Sequence, residues 1–137
     1  VTDNPTTAIT QENLHGDLGE IQQWVHEVNL ANGWFEADRT FGDEVALLHS
    51  EVSEMLEDFR AKGDAGAYYM DEGGETYLTS HQDYEGNKPL GVPSECADVL
   101  IRLLDTCARY DIDLEAEVVA KLKYNATRGH RHGGKAL

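Results

Sequence analysis

The chain is short of cysteine, of basic residues and of long apolar runs. Its two cysteines, Cys96 and Cys107, fall in one expected helix, too far apart along it for a disulfide. Neither an oxidised scaffold nor a thiolate metal site is therefore indicated. No apolar run approaches the roughly 20 residues that a membrane helix needs. The first twenty residues carry Asp3, Glu12, Asp17 and Glu20 but no Lys or Arg, unlike a secretory or Arg-rich transit segment. A cytoplasmic protein with no membrane partner is the expectation. A Gly-rich phosphate loop with its lysine is also missing, so any nucleotide has to be handled through metal and basic side chains.

What is present is acid. The 137 residues include 26 Asp and Glu against 11 Lys and Arg, a formal net charge of -15. A single domain spanning residues 1–137 is expected at this length. Residues 1–120 hold all the acids, whereas residues 118–137 hold Lys121, Lys123, Arg128, Arg131 and Lys135 and no acid. An acidic body repels nucleic acid, so no nucleic-acid partner is expected, and convergent carboxylates attract divalent cations. The basic end reads either as an anion-facing surface or as a solvated terminus.

Along the chain, residues 1–16 are a polar lead-in. A first helix is expected from Asp17 or Leu18 to about Asn32, ended by Gly33. The second runs from about Asp43, as its cap, to Ala61, with Val45, Leu48, Val52, Met55, Leu56 and Phe59 mainly on one stripe. Residues 64–93 read as a Gly-rich insert, a loop with a short hairpin pairing residues 68–70 with 76–78. Its length suits a substrate lid, a specificity element or a surface excursion. Ser94 is expected to cap a third helix, with Pro93 just before it, and Asp111 or Asp113 a fourth that frays near Gly129. Residues 129–137 form the basic tail. The pattern predicts an all-α bundle of four main helices that gains from a partner subunit.

Two acid pairs stand out. Glu51 and Glu54, and Glu95 and Asp98, each have the i, i+3 spacing that puts both side chains on one helix face. Carboxylates at the border of an apolar stripe are costly unless paired or bound to a cation. If the second and third helices pack together, four oxygen ligands face one pocket, a set suited to Mg²⁺ or Mn²⁺. They can equally be ordinary exposed acids, and Glu44, Glu57 or Asp58 can replace one of them in a differently phased helix. On the fourth helix Lys121, Asn125 and Arg128 share a sector able to meet phosphate charge. Arg128 also suits a helix C-terminus without any ligand. His49, His130 and His132 form no zinc-like set.

The segment LLHSEVSEMLEDFR at residues 47–60 and the block PSECADVLIRLLDTCARYDIDLEAEVVAKLKYNATRGHRHGGKAL at residues 93–137 resemble the MazG-like branch of the all-α nucleoside triphosphate pyrophosphohydrolases. The likeness runs from about residue 18 onward. It implies a MazG-like helical bundle and Mg²⁺-dependent cleavage of the α–β phosphate bond of an NTP or dNTP, giving a monophosphate and pyrophosphate. The family's ExxE and ExxD acids fall on Glu51, Glu54, Glu95 and Asp98 as metal ligands. Glu51 and Glu54 are then the catalytic acids, with Glu54 a candidate to position or deprotonate water. Lys121 and Asn125, and more weakly Arg128, match substrate-binding positions. The resemblance also implies a homo-oligomer, a dimer in preference to a tetramer. One departure is the insert, longer than the compact family pattern, whose Tyr68, Tyr69, Tyr77 or Tyr84 can stack on a base or anchor the loop. The competing readings are a non-catalytic acidic interaction module and a metal-dependent phosphohydrolase that releases orthophosphate.

Overall fold

Asp17 starts the first helix: its carboxylate accepts the Glu20 N–H at 2.9 Å, satisfying one of the orphan donors of the first turn. The structure, a computed structural model, describes residues 17–34, 37–80 and 83–127. Helix α1, Leu18–Ala31, ends where Gly33 turns left-handed at φ 78°. The Gly33 N–H donates to Leu30 O and the Trp34 N–H to Asn29 O, both at 3.1 Å, the paired bonds of a Schellman close.

Helix α2 spans Phe41–Lys62 and begins earlier than the sequence predicts. Thr40, not Asp43, is the cap: the Asp43 N–H donates to Thr40 Oγ1 at 3.2 Å, and the Thr40 N–H donates to the Asp43 carboxylate at 2.8 Å. Asp43 is therefore the third-position acid of a capping box, and the Thr40 backbone N–H, followed by the Thr40 hydroxyl, holds its carboxyl below the usual range. Gly63, at φ 73°, closes the helix by donating to Phe59 O at 2.7 Å.

The insert is more ordered than a loop with one hairpin. Strands β1, Tyr68–Glu72, and β2, Glu75–Thr79, are joined by Gly73 and Gly74, both at positive φ, as a two-residue hairpin turn requires. A third strand, β3, Lys88–Leu90, pairs antiparallel with the other edge of β1, giving the order β2-β1-β3. The register sets Tyr69 opposite Leu78 on one side and opposite Leu90 on the other.

Helix α3, Val92–Arg109, starts two residues before the expected Ser94 cap, its first bond running from the Glu95 N–H to Gly91 O at 3.1 Å. Pro93 is tolerated there because first-turn N–H groups have no helical partner. The Ser94 hydroxyl instead donates to Pro89 O at 3.3 Å. At the other end Asp111, at φ 54°, takes the place of a C-terminal glycine: its N–H donates to Ala108 O at 3.2 Å and that of Ile112 to Cys107 O at 2.8 Å. Helix α4, Leu114–Thr127, is capped by Asp113, whose carboxylate accepts the Ala116 N–H at 3.0 Å. The expected fraying near Gly129 lies outside the described residues.

Four helices and a small antiparallel sheet thus make up the described chain, which divides into two units. One contains α1, α4 and the end of α3. Within it the Gly19 N–H donates to Glu115 at 2.9 Å, and the Gln22 side chain to Ile112 O at 2.9 Å. The other contains α2, the sheet and α3 as far as Thr106. Burial concentrates in one turn of α3, from Leu104 to Cys107, and at Glu44, which forms a 3.1 Å ion pair with Arg39. The α2 stripe marked by periodicity is not a buried one: Val52, Leu56 and Phe59 are exposed. Among the described residues no helix is long and apolar enough to cross a membrane.

Candidate metal centre

Three contacts join α2 to α3 and the start of α3 along a neighbouring face of α2. Arg102 donates to Glu51 Oε1 from Nε at 3.0 Å and from Nη2 at 2.8 Å. The Cys96 thiol lies 3.3 Å from Met55 Sδ. The Gly91 N–H donates to the Asp58 carboxylate at 2.8 Å. Glu51, Met55 and Asp58 recur at helical spacing on that face, so the side of α2 turned to α3 is polar at both ends.

The packing brings acids together. Glu51, Glu54 and Glu95 each place one carboxylate oxygen within 4.8 Å of the other two. Glu51 and Glu95 are half-buried and Glu54 is exposed. Glu51 is oriented by Arg102, whereas Glu54 accepts only a long 3.4 Å bond from the Ser50 hydroxyl among the contacts described for it. Glu95 Oε2 is buried without a hydrogen-bond partner, and a buried acceptor left in that state is costly.

The electrostatics carry the same strain. Burial, and then the charges of Asp98, Asp58, Glu54 and Glu51, push the Glu95 carboxyl above the usual range. Asp98, one turn further along α3 and exposed, is outside the three-residue group but coupled to it. Desolvation and the charge of Glu51 raise its pKa, against opposing pulls from Lys88 and Arg102. A proton or a cation relieves such a cluster. The donors are all carboxylate oxygens, the ligand type of hard divalent ions. A six-coordinate ion of Mg²⁺ size sets its oxygens about 3–4 Å apart, so small side-chain movements suffice to gather the three. The residues fit a divalent cation.

The structure describes the remaining expected site residues only in part, and each within its own unit. Lys121 and Asn125 are exposed on α4, in the other unit, where Lys121 Nζ lies 5.8 Å from the ring centre of Tyr124. Arg128, His130 and His132 lie outside the described residues. His49 is exposed on α2, its carbonyl accepting the Ser53 hydroxyl at 3.0 Å. Of the insert tyrosines, Tyr69 lies under Lys62 Nζ at 5.0 Å, and Tyr77 donates to Glu75 at 2.6 Å.

Two residues escape the sequence reading. Arg102 is one turn beyond Asp98 and two beyond Glu95, the only cation of α3 before Arg109, and that i+4, i+7 spacing was a legible signal. The hold of Asp58 on Gly91 had no such signal, because its partner is a backbone N–H 33 residues away. No family model matches the chain, and neither a curated protein nor a solved structure matches it.

Proposed function

We propose that the protein is a Mg²⁺-dependent, MazG-like nucleoside triphosphate pyrophosphohydrolase, with Mn²⁺ as a substitute metal. The observation that supports this most is the meeting of Glu51, Glu54 and Glu95 around the unpartnered Glu95 Oε2, with acids contributed by both the ExxE and the ExxD segments. Glu51, Glu54, Glu95 and Asp98 would hold a divalent cation, which would supply charge neutralisation to phosphate oxygens and a more acidic attacking water. Arg102 fixes Glu51, which leaves the exposed Glu54 to position a water and accept its proton. The water oxygen joins one phosphorus of the α–β bridge, the bridging P–O bond breaks, and monophosphate and pyrophosphate leave. Lys121, Asn125 and Arg128 are the proposed contacts to the substrate. A second copy of the chain completes the assembly, in the cytoplasm.

Product analysis on a panel of NTPs and dNTPs with Mg²⁺ tests the reading. Monophosphate with equimolar pyrophosphate is expected, and Glu54→Gln should lower kcat by about 10²–10⁴ if Glu54 serves the water. Orthophosphate as the product would indicate terminal cleavage instead. No turnover with either Mg²⁺ or Mn²⁺ would point to an acidic binding module.

A further inference from the structure

The β-insert and α3 line a half-open cavity of about 340 Å³ that includes Asp98. Tyr68 and Tyr84 wall it together with Pro89 on the insert side, and Pro93, Asp98 and Ile101 close it from α3. We propose that this cavity is a nucleobase subsite, in which the insert binds the base of a nucleotide by stacking while the phosphates lie toward the acid cluster. The assignment rests on the pyrophosphohydrolase reading for the identity of the ligand's anionic end.

Three observations carry it. First, the lining includes two phenol rings and two prolines, side chains able to offer flat apolar surface to a base. Second, Asp98 lines the cavity and lies one turn along α3 from Glu95 of the acid cluster. A ligand reaching from one to the other therefore needs a planar apolar end and a polyanionic end held through a cation. A nucleoside polyphosphate has both. Third, Tyr84 is held in place by its backbone. It opens a turn in which the Asn87 N–H donates to Tyr84 O at 2.7 Å, with Glu85 and Gly86 both at positive φ. The Asn87 amide is tied in turn to Met70 Sδ of β1 at 3.7 Å.

The lining also sets the kind of selectivity. Burial, followed by the neighbouring Tyr68, raises the Tyr84 phenol pKa, so the group stays neutral. The Ser94 hydroxyl, also in the wall, is engaged with Pro89 O at 3.3 Å. The two prolines, Ala97 and Ile101 bring no hydrogen-bonding side-chain group to the wall, so the proposed recognition rests mainly on stacking area. Broad tolerance follows, with purines favoured over pyrimidines.

Two measurements on the full-length protein separate this inference from the reading on which it rests. In the first, saturation-transfer NMR uses free adenosine, guanosine and cytidine, which carry no phosphate. Base protons should receive saturation from the wild type, while Tyr84→Ala and the cavity-filling Ala97→Phe should lose it and Tyr84→Phe keep it. Circular dichroism checks that each variant is folded. In the second, KM and kcat are compared for ATP and for ribose 5′-triphosphate, which lacks a base. Tyr84→Ala should raise KM for ATP roughly 5- to 100-fold, the range of one stacked base. It should leave kcat within about 2-fold and ribose triphosphate turnover unchanged. Equal effects on both substrates, or nucleoside saturation unaltered by Tyr84→Ala and Ala97→Phe, would overturn the subsite and leave the pyrophosphohydrolase reading intact. Nucleoside binding that the variants abolish, without turnover of any triphosphate, would overturn that reading and retain a base-binding cavity.

Discussion

Glu95 concentrates the conflict at the centre of the acid cluster: it is half-buried, one of its oxygens lacks a partner, and four other carboxylates raise its pKa. A carboxyl whose folded pKa is raised binds its proton more tightly in the native state than in the unfolded chain. Its contribution to stability is therefore present at low pH and is lost as pH rises through the raised value. Asp98 acts with the same sign. Asp43 acts oppositely, because its pKa is lowered, and its contribution disappears only as pH falls below the ordinary Asp range. Thermal unfolding in chelator should thus show Tm falling as pH rises from the ordinary carboxyl range toward neutrality. General repulsion in a chain of charge -15 gives a slope of the same sign, so the comparison is with Glu95→Gln. The variant should have a shallower slope and a higher Tm at neutral pH without metal. Mg²⁺ or Mn²⁺ should then raise the wild-type Tm more than that of the variant. Parallel slopes and equal metal responses would remove Glu95 from the site. The acid pairs were legible because i, i+3 spacing is a local property. The unsatisfied oxygen was not, and of the Arg102 clamp only its helical phase with Glu95 and Asp98 was, since its bond to Glu51 depends on how α2 meets α3.

At the scale of elements, two left-handed positions make contrasting predictions. Gly91, at φ 94°, is buried between β3 and α3, and a Cβ there would lie 3.0 Å from both Ala67 O and Tyr69 Cδ2. Gly91→Ala should destabilise by about 1–3 kcal/mol through combined backbone strain and crowding. Asp111, at φ 54°, occupies the αL position of the α3 close, where a side chain has a steric cost. Asp111→Gly should stabilise by up to about 1 kcal/mol, less the entropy of a more flexible unfolded chain. Denaturant titration of the two variants checks both signs, and a destabilising Asp111→Gly would mean that its side chain compensates for the strain. The helices were legible as a whole because each carries several apolar residues at helical spacing. The starts of α2 and α3 were less so: Thr40-Phe41-Gly42-Asp43 forms its capping box ahead of the expected cap at Asp43, and α3 begins through Gly91 O before Ser94. Strand β3 was missed because Lys88-Pro89-Leu90 is too short to show alternation and contains a proline. Proline is tolerated on an edge strand, and only the pairing with β1 reveals this one as a strand.

At the scale of the whole molecule, more large apolar side chains are exposed than buried among the described residues. Leu104 and Cys107 are the buried hydrophobic residues among those described, while Val52, Leu56 and Phe59 are 43%, 47% and 45% exposed. Their four- and three-residue spacing aligns them on α2, about a quarter-turn from the face that carries Glu51 and Asp58. One helix therefore presents acids to α3 and an apolar stripe to solvent. Burial of such a stripe is worth roughly 25 cal/mol per Å², which supports the proposed dimer. The proposed dimer places this stripe against a second copy, and two acidic chains then associate through a face with few charges. Light scattering after size exclusion should give twice the 15.2 kDa chain mass. Leu56→Glu should shift it to monomer by placing a charge in the apolar contact, whereas Glu57→Gln, away from the stripe on the same helix, should leave the dimer intact. Because α2 also carries Glu51 and Glu54, loss of the dimer should loosen the metal site, and Mn²⁺ affinity measured by calorimetry should fall in Leu56→Glu but not in Glu57→Gln. A wild-type monomer, or a Leu56→Glu dimer of unchanged affinity, would assign the stripe to some other contact and separate the acid site from assembly.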